Sequence, residues 1–109
     1  MCIRDSAAAE ELGCHLLLKG PVDVVTDGAR VKLNATGHPA MSVGGTGDAL
    51  AGISGALLAK GLGPFDAARL AAYVSGRAGE AAARERSLGL LATDVVEAIP
   101  AVLRAHLSL

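Results

Sequence analysis

The chain has 109 residues, 51% of them hydrophobic and only 2% aromatic, and a formal net charge of −1. This length suits one domain at most, and the charge gives no nucleic-acid-binding footprint. No apolar stretch is long enough to span a membrane. Two cysteines, Cys2 and Cys14, are too few for a disulfide framework and lack metal-ligand spacing with the histidines. We therefore expect reduced thiols and a cytoplasmic protein.

The first elements predicted are the end of a helix and a strand. Residues 7–12 are typical of the last turns of a helix, closed by Gly13. Residues 15–18 are a short apolar run bounded by glycines, which predicts a buried β-strand. Lys19 follows this strand, where a lysine either reaches a phosphate or ribose or remains a solvated loop residue.

Asp27 and Gly28 separate two β-prone runs, residues 22–26 and 30–33. Asp-Gly in this position indicates a β-hairpin. A type I′ turn, which needs positive φ at both central positions, is the expected connection.

A loop is predicted over residues 34–39. Its polar side chains, Asn34, Thr36 and His38, are suited to lining a site. We assign His38 no acid–base role, since a lone histidine in such a loop is more often structural or solvated.

Residues 41–52, MSVGGTGDALAG, place three glycines around one threonine just before an apolar helical pattern. The stretch predicts a loop that becomes a helix N-terminus, where free N–H groups and the helix dipole attract a phosphate or another anion. Glycine at 44, 45 and 47 permits positive φ and close approach of a ligand. Asp48 is a candidate base that takes a proton from a hydroxyl being phosphorylated. The alternative is that Asp48 only stabilises the first helical turn.

The helix predicted after this loop covers residues 48–60. Leu50, Ile53 and Leu57 recur at helical spacing, and small residues occupy the other faces. We expect this helix to be buried nearly all round, which would hold the anion-binding loop rigid.

The next helix is predicted to have Pro64 in its first turn and to run through Ala67 to about Arg84. Glu80 and Arg84 have the i,i+4 spacing of an ion pair on a solvated face. Residues 75–76, Ser-Gly, indicate close packing of this helix.

The last helix is expected to have Thr93 or Asp94 as its cap, with Glu97 in a capping-box-like position. Asp94 is interpreted as this cap and not as a catalytic acid. Pro100 either interrupts the helix or starts a second short one that ends near His106.

Several motifs taken together resemble one family. GGTGD followed by ALAG is preceded by TGHPAM, and the chain also contains KG at 19–20, YVSGRAGE at 73–80, ATD at 92–94 and IP at 99–100. The set resembles the ADP/ATP-dependent NAD(P)H-hydrate dehydratases of the ribokinase-like superfamily, over nearly the whole chain. GTGD alone would fit several sugar, vitamin and thiazole kinases.

The resemblance implies an α/β fold, the C-terminal portion of a ribokinase-like three-layer α/β/α domain. Residues 7–109 would form this portion, and residues 1–6, which match nothing in the family, are interpreted as a non-native leader. The family's missing first half leads us to expect an exposed sheet edge. We therefore expect a chain of marginal stability that tends to form homo-oligomers.

The implied activity is repair of hydrated NADH and NADPH, with Mg²⁺ as cofactor and ADP or ATP as phosphoryl donor. Asp48 would be the catalytic base and would also contact the hydrated cofactor. A fused or separate NAD(P)H-hydrate epimerase is an implied partner, while the ligands of the magnesium ion are left unassigned. The resemblance assigns nucleotide binding to the following residues: Lys19, Gly20, Pro21, Val22, Asp23, Gly45, Thr46 and Gly47.

The chain departs from the family pattern at three places. Pro21 and Asp23 stand in a segment that is usually close to KGAGT, so backbone contacts transfer better than side-chain contacts. His38 replaces the Asn of a common Gly-Asn-Pro, and Ser75 replaces a common His.

Two alternatives stay open at this point. One is a ribokinase-like small-molecule kinase, of the hydroxyethylthiazole or hydroxymethylpyrimidine type, whose chemistry stops at the phosphorylated product. The other is an inactive nucleotide-binding fragment.

Overall fold

The computed structural model describes residues 2–107. The helices and strands, in chain order, are α1 (Cys2–Leu12), β1 (Leu16–Leu18), β2 (Asp23–Thr26), β3 (Val31–Asn34), α2 (Thr46–Ala59), α3 (Pro64–Arg86) and α4 (Ala92–Val102). Short 3₁₀ turns cover Pro39–Met41 and Ser87–Gly89, and a π-helical turn, Leu103–Leu107, follows α4. The segment 2–6 forms the start of α1, Met1 lies outside the described residues, and the leader interpretation stays a prediction.

The sheet has three antiparallel strands in the order β1-β2-β3. Val25 of β2 pairs with Leu17 on one side and Lys32 on the other. Every residue of β2 is buried, whereas β1 and β3 are edge strands and are partly exposed. The strand predicted over residues 15–18 is thus present, but its predicted burial is wrong, because an edge position leaves Leu18 39% exposed.

The β2–β3 hairpin at Asp27-Gly28 is confirmed, but the expected type I′ turn is wrong. The connection is longer than two residues, since Thr26 pairs with Val31. Oδ1 of Asp27 accepts hydrogen bonds from the N–H groups of Ala29 at 2.9 Å and Arg30 at 2.7 Å. These bonds replace the tight backbone turn, so Asp27 itself needs no positive φ.

Helices cover both faces of the sheet. On one face, Oγ of Ser6 in α1 lies 3.1 Å from Oγ1 of Thr26. On the other, Asn34 of β3 donates to the carbonyl of Ala72 in α3. The order α1, sheet, α3 is a three-layer α/β/α arrangement, and α2 and α4 pack on α3.

Two clusters of buried side chains hold the helices together. The first joins α2 to α3 and is formed by Leu50, Leu57, Ala67 and Ala71. The second joins α3 to α4 and the 3₁₀ turn and contains Ala40, Val74, Ala78, Ala82, Ala83, Leu90, Val95 and Val102. The buried residues of both clusters are all Ala, Val or Leu, as the composition implies.

The expectation that α2 is buried nearly all round is wrong. Leu50 and Leu57 are buried against α3, but the opposite face is exposed to solvent. We call this surface the outer face of α2, and it consists of Ala51, Gly52, Gly55, Ala56 and Ala59. Within residues 2–107 no other helix or strand covers it, since all five residues are exposed and α3 packs on the side of Leu50 and Leu57.

The predicted Glu80–Arg84 ion pair is also wrong. Glu80 is only half-exposed and pairs with Arg77, one turn earlier in α3, at 3.0 Å. It turns toward Arg77 because its other carboxylate oxygen accepts the N–H of Gly37.

At the start of α4 the N-cap is Leu91, two or three residues earlier than predicted. Asp94 serves the same purpose from the third helical position, since its Oδ2 accepts the N–H of Leu91 at 2.8 Å. Pro100 lies inside α4 and does not end it. The π-helical turn follows directly after Val102.

None of the helices within residues 2–107 is sufficiently long and apolar to cross a lipid bilayer.

Candidate functional site

The N-terminus of α2 presents unpaired backbone N–H groups. Gly45 is the N-cap, with φ of 98°, and no side chain caps the helix. The first hydrogen bond of the helix runs from Ala49 N to Gly45 O at 3.1 Å. The N–H groups of Thr46, Gly47 and Asp48 therefore have no partner inside the helix and point outward with the positive end of its dipole.

Only one of the three glycines in this loop is needed for its backbone conformation. Gly45 alone has a positive φ, and a methyl group there would lie 2.9 Å from Cβ of Ala92. Gly44 and Gly47 have ordinary φ values and open space where a side chain would begin. The positive φ that glycine permits is thus used at Gly45 alone, and Gly47 leaves the helix terminus open to an approaching group.

Thr46 closes the loop with its side chain. Its hydroxyl donates to the carbonyl of Met41 at 3.1 Å and lies 3.2 Å from the carbonyl of Val43. Since Thr46 is buried, its hydroxyl is used within the protein. What Thr46 offers a ligand is its backbone N–H.

A cleft of about 690 Å³ lies beside this helix terminus. It is lined by Lys19, Gly20, Pro21, Asp23, Thr36, Gly37, His38, Pro39, Met41, Ser42, Val43, Thr46, Leu50, Ala72, Ser75 and Gly76. The structure thus brings most of segment 19–23 and Thr46 to one cleft, whose volume suits a small-molecule ligand. Val22, 45% exposed, is not among the lining residues.

Asp23 shapes the first wall of the cleft. Its Oδ1 accepts the N–H of Gly20 at 3.1 Å, and its Oδ2 accepts from Nδ2 of Asn34 at 3.0 Å. Both carboxylate oxygens are therefore engaged inside the protein. Lys19, at the end of β1, is exposed at the mouth of the cleft.

The opposite wall is residues 36–43, which sit directly on α3. Glycines in α3 make this possible, because a methyl group at Gly76 would overlap Thr36 and one at Gly79 would overlap Met41. Close packing at residues 75–76 is confirmed, against this wall and not against another helix. Nδ1 of His38 accepts the N–H of Ala40 at 3.0 Å, a capping role consistent with the absence of an assigned acid–base role.

Asp48 lies on a different side of α2 from the cleft. Thr46 and Leu50 are one helical turn apart and line the cleft, whereas Asp48 is turned by about 200° from Thr46. Its carboxylate is exposed and forms no ion pair with any residue between 2 and 107. The free N–H groups therefore lie between the cleft on one side and this carboxylate on the other.

Sequence reasoning missed much of the second wall. Of its polar lining candidates, Thr36 and His38 line the cleft, whereas Asn34 does not and instead bonds to Asp23 and Ala72. It did not name Ser42 or Val43 of this wall, or Ser75 of α3, as lining residues. The available signal was the pair of helical glycines at 76 and 79, whose spacing places them on one face of α3.

The described residues form no metal site of their own. No group of three or more His, Cys, Asp or Glu side chains within 2–107 is placed to hold a metal ion. Asp23 already has hydrogen bonds at both oxygens, and Asp48 is alone. The chain's own carboxylates thus do not fit a dedicated Mg²⁺ site.

The fold and the glycine-rich helix terminus define part of a ribokinase-like α/β domain. The crystal structure of the ADP/ATP-dependent NAD(P)H-hydrate dehydratase from Bacillus subtilis, co-crystallized with ATP/Mg²⁺, superposes with a TM-score of 0.88 at 30% identity. The match covers 94% of this chain and 38% of that one.

The family model described as NAD(P)H-hydrate dehydratase matches residues 4–101, and the chain belongs to that family. It is 54% identical over 101 residues to the bifunctional NAD(P)H-hydrate repair enzyme Nnr of Hyperthermus butylicus. It is 49% identical over 96 residues to the ADP-dependent (S)-NAD(P)H-hydrate dehydratase of Cenarchaeum symbiosum. These matches cover 93% and 88% of this chain but only 19% and 33% of the two relatives.

Proposed function

We propose that this chain supplies the nucleotide-binding and phosphoryl-transfer part of a nucleotide-dependent NAD(P)H-hydrate dehydratase, a lyase that repairs hydrated NADH and NADPH. The observation that carries the proposal is the N-terminus of α2. Its free N–H groups at Thr46 and Gly47 are flanked by the cleft on one side and by the exposed carboxylate of Asp48 on the other.

The arrangement suits transfer of a phosphoryl group from one side of the helix terminus to the other. A nucleotide would lie in the cleft, against the backbone of segment 19–23, with its terminal phosphate at the N–H groups of residues 45–47. Asp48 would take the proton from the hydroxyl of the hydrated nicotinamide as that oxygen bonds to phosphorus. As this bond forms, the bond from phosphorus to the nucleotide breaks and releases AMP or ADP. The C–O bond of the phosphorylated intermediate then breaks, phosphate leaves with the electron pair, and loss of a proton from the neighbouring ring carbon restores the double bond.

The cofactors belong to the same proposal. The donor is ADP or ATP, because the relatives are named for ADP or for both nucleotides. Mg²⁺ would be carried by the nucleotide phosphates, where its charge offsets theirs. No step is assigned through it, since the described residues form no site for it.

The proposal extends to the partners and the location of the protein. The bifunctional name of the Hyperthermus butylicus relative supports a fused or separate epimerase as partner. We place the activity in the cytoplasm, with its nucleotide substrates, and a homo-oligomer remains part of the proposal.

The first test is nucleotide binding by the chain itself. Titration with ADP and with ATP, each with Mg²⁺, should give saturable heat in a calorimeter, and Gly47→Val should abolish it. Because Gly47 has open space and an ordinary helical φ, this variant should still fold. Gly52→Val, on the outer face of α2, is the matched control and should bind as the parent chain does. Equal binding by the two variants would contradict the proposal.

The second test is the reaction. This chain would replace the matching 38% of the Bacillus subtilis dehydratase, and the chimera would be incubated with hydrated NADH, Mg²⁺ and ADP or ATP. We expect recovery of NADH absorbance with the wild-type segment and none with Asp48→Asn. A folded, nucleotide-binding chimera that phosphorylates a hydroxymethylpyrimidine or hydroxyethylthiazole without restoring NADH would establish the small-molecule kinase instead.

A further inference from the structure

Glu80 joins helix α3 to the wall of the cleft. Its Oε2 accepts the backbone N–H of Gly37 at 2.9 Å across 43 positions of sequence. Gly37 lines the cleft, whereas Glu80 does not. The carboxylate of Glu80 therefore contacts a residue of the cleft wall without itself lining the cleft.

The wall needs such a contact at this point. Gly37 has φ of 129°, a conformation that other residues rarely adopt. It belongs to no helix or strand, so no regular backbone hydrogen-bonding pattern holds it in this conformation. On one side of it, Oγ1 of Thr36 donates toward Asn34 and the carbonyl of Tyr73. On the other, His38 caps the 3₁₀ turn. Glu80 supplies the hydrogen bond between these two anchors.

The charge of Glu80 is offset where it stands. Nη1 of Arg77 donates to Oε1 of Glu80 at 3.0 Å, and Nε of Arg77 donates to the hydroxyl of Tyr73 at 3.2 Å. The bonds to Tyr73 and then to Glu80 raise the pKa of Arg77 above its ordinary value. A carboxylate behind an anion-binding cleft would otherwise repel the ligand, and this pair reduces that effect.

We propose that Glu80 is a positioning residue for the nucleotide cleft, which holds residues 36–38 in place through the Gly37 N–H. The claim that Glu80 affects nucleotide affinity rests on the proposed function. The claim that Glu80 holds residues 36–38 in place does not. Glu80 touches neither nucleotide nor reacting atoms in this scheme.

The experiment measures two quantities in the folded chain. Hydrogen exchange at the Gly37 amide, followed by NMR, measures how firmly residues 36–38 are held. Calorimetric titration with ADP and Mg²⁺ measures the affinity for the nucleotide. The variants are Glu80→Ala, Glu80→Gln, which keeps an acceptor oxygen, and the control Glu85→Ala, which removes an exposed carboxylate from the same helix.

We expect Glu80→Ala to speed exchange at Gly37 about tenfold to a hundredfold, the range for losing a hydrogen bond to a charged group. Exchange at the buried Val25 amide should stay unchanged, which separates the effect from general unfolding. ADP affinity should fall about three- to tenfold. Glu80→Gln should restore most of both values, and Glu85→Ala should match the parent chain.

Exchange at Gly37 that is equal in Glu80→Ala and Glu85→Ala would overturn the proposal. So would faster exchange at Gly37 with unchanged ADP affinity, because the wall would then be irrelevant to the ligand. If the parent chain binds no nucleotide, the proposed function fails together with the affinity claim. Exchange at Gly37 would still decide whether Glu80 holds the wall.

Discussion

Asn34 of β3 donates its side-chain N–H to Oδ2 of Asp23, at the start of β2, at 3.0 Å. Both residues are buried, at 6% and 7% exposure. The same amide group also donates to the carbonyl of Ala72 in α3. One side chain thus ties the hairpin, the segment that lines the cleft and the central helix together.

Replacing Asn34 by Ala should destabilise the chain by about 2 kcal/mol, since a buried carboxylate and a buried carbonyl both lose their donor. The free energy of unfolding in urea measures this. Lys32→Ala, an exposed change on the same strand, should stay within about 0.5 kcal/mol of the parent chain. Equal midpoints for the two variants would show that the Asn34 bonds contribute nothing.

Gly45→Ala should destabilise the chain by about 1–3 kcal/mol, because alanine is strained at this positive φ and its methyl group meets Ala92. Gly44→Ala is the matched control, with ordinary φ and open space. Adding Ala92→Gly to Gly45→Ala removes the contact but keeps the strain. Thermal unfolding of the four proteins should therefore rank the double variant between Gly45→Ala and Gly44→Ala.

Replacing glycine by alanine should change the stability of the chain in opposite directions on α2 and α3. Gly55→Ala, on the outer face of α2, fills open space and should stabilise the chain by about 1 kcal/mol through helix propensity. Gly76→Ala in α3 runs into the backbone of Thr36 and should destabilise the chain by about 1–3 kcal/mol. Urea midpoints for the two variants check the prediction, and a shared sign would contradict the packing described for α2 and α3.

The hairpin turn should make stability depend on acidic pH. The N–H of Arg30, then its guanidinium and the N–H of Ala29, lower the pKa of Asp27 well below its ordinary value. The folded state therefore prefers the ionised carboxylate, so the stabilisation is complete above about pH 4 and is lost as the pH falls.

Melting temperatures of the parent chain and Asp27→Asn, measured from neutral to acidic pH, should converge as the pH falls. Arg30→Ala, which keeps the backbone donors, should lie between them. A difference between parent and Asp27→Asn that stays constant with pH would rule out this role of Asp27.

Local patterns were sufficient to predict the family, the α/β fold and the hairpin. Asp27-Gly28, the run at 15–18 and GGTGD each carry their signal within a few residues. Burial was less predictable, because it depends on neighbours that the local pattern does not contain. Leu50 and Leu57 of α2 are buried as expected, but the small residues of its outer face have no covering element among residues 2–107.

The sequence was sufficient to predict which chain segments line the site, but not which side chains form hydrogen bonds within it. Of the predicted nucleotide-binding residues, Val22, Gly45 and Gly47 do not line the cleft. Those that do are Lys19, Gly20, Pro21, Asp23 and Thr46. The nucleotide contacts of all of them stay a prediction. The pairing of Asp23 with Asn34 and of Glu80 with Gly37 spans 11 and 43 positions. No local periodicity specifies such pairs. The Glu80–Arg84 prediction failed for the same reason, since spacing on one helix cannot show a competing backbone donor from a distant loop.

The outer face of α2 has a thermodynamic consequence for the helix terminus. Helix α2 is held by its leucine side and by the Thr46 hydroxyl, so the alignment of its first N–H groups depends on how rigid the whole helix is. Any surface that packs on Ala51, Gly55 and Ala59 would order the same helix that an anion at its N-terminus orders. The two binding events would then be linked, and each would strengthen the other by the same factor.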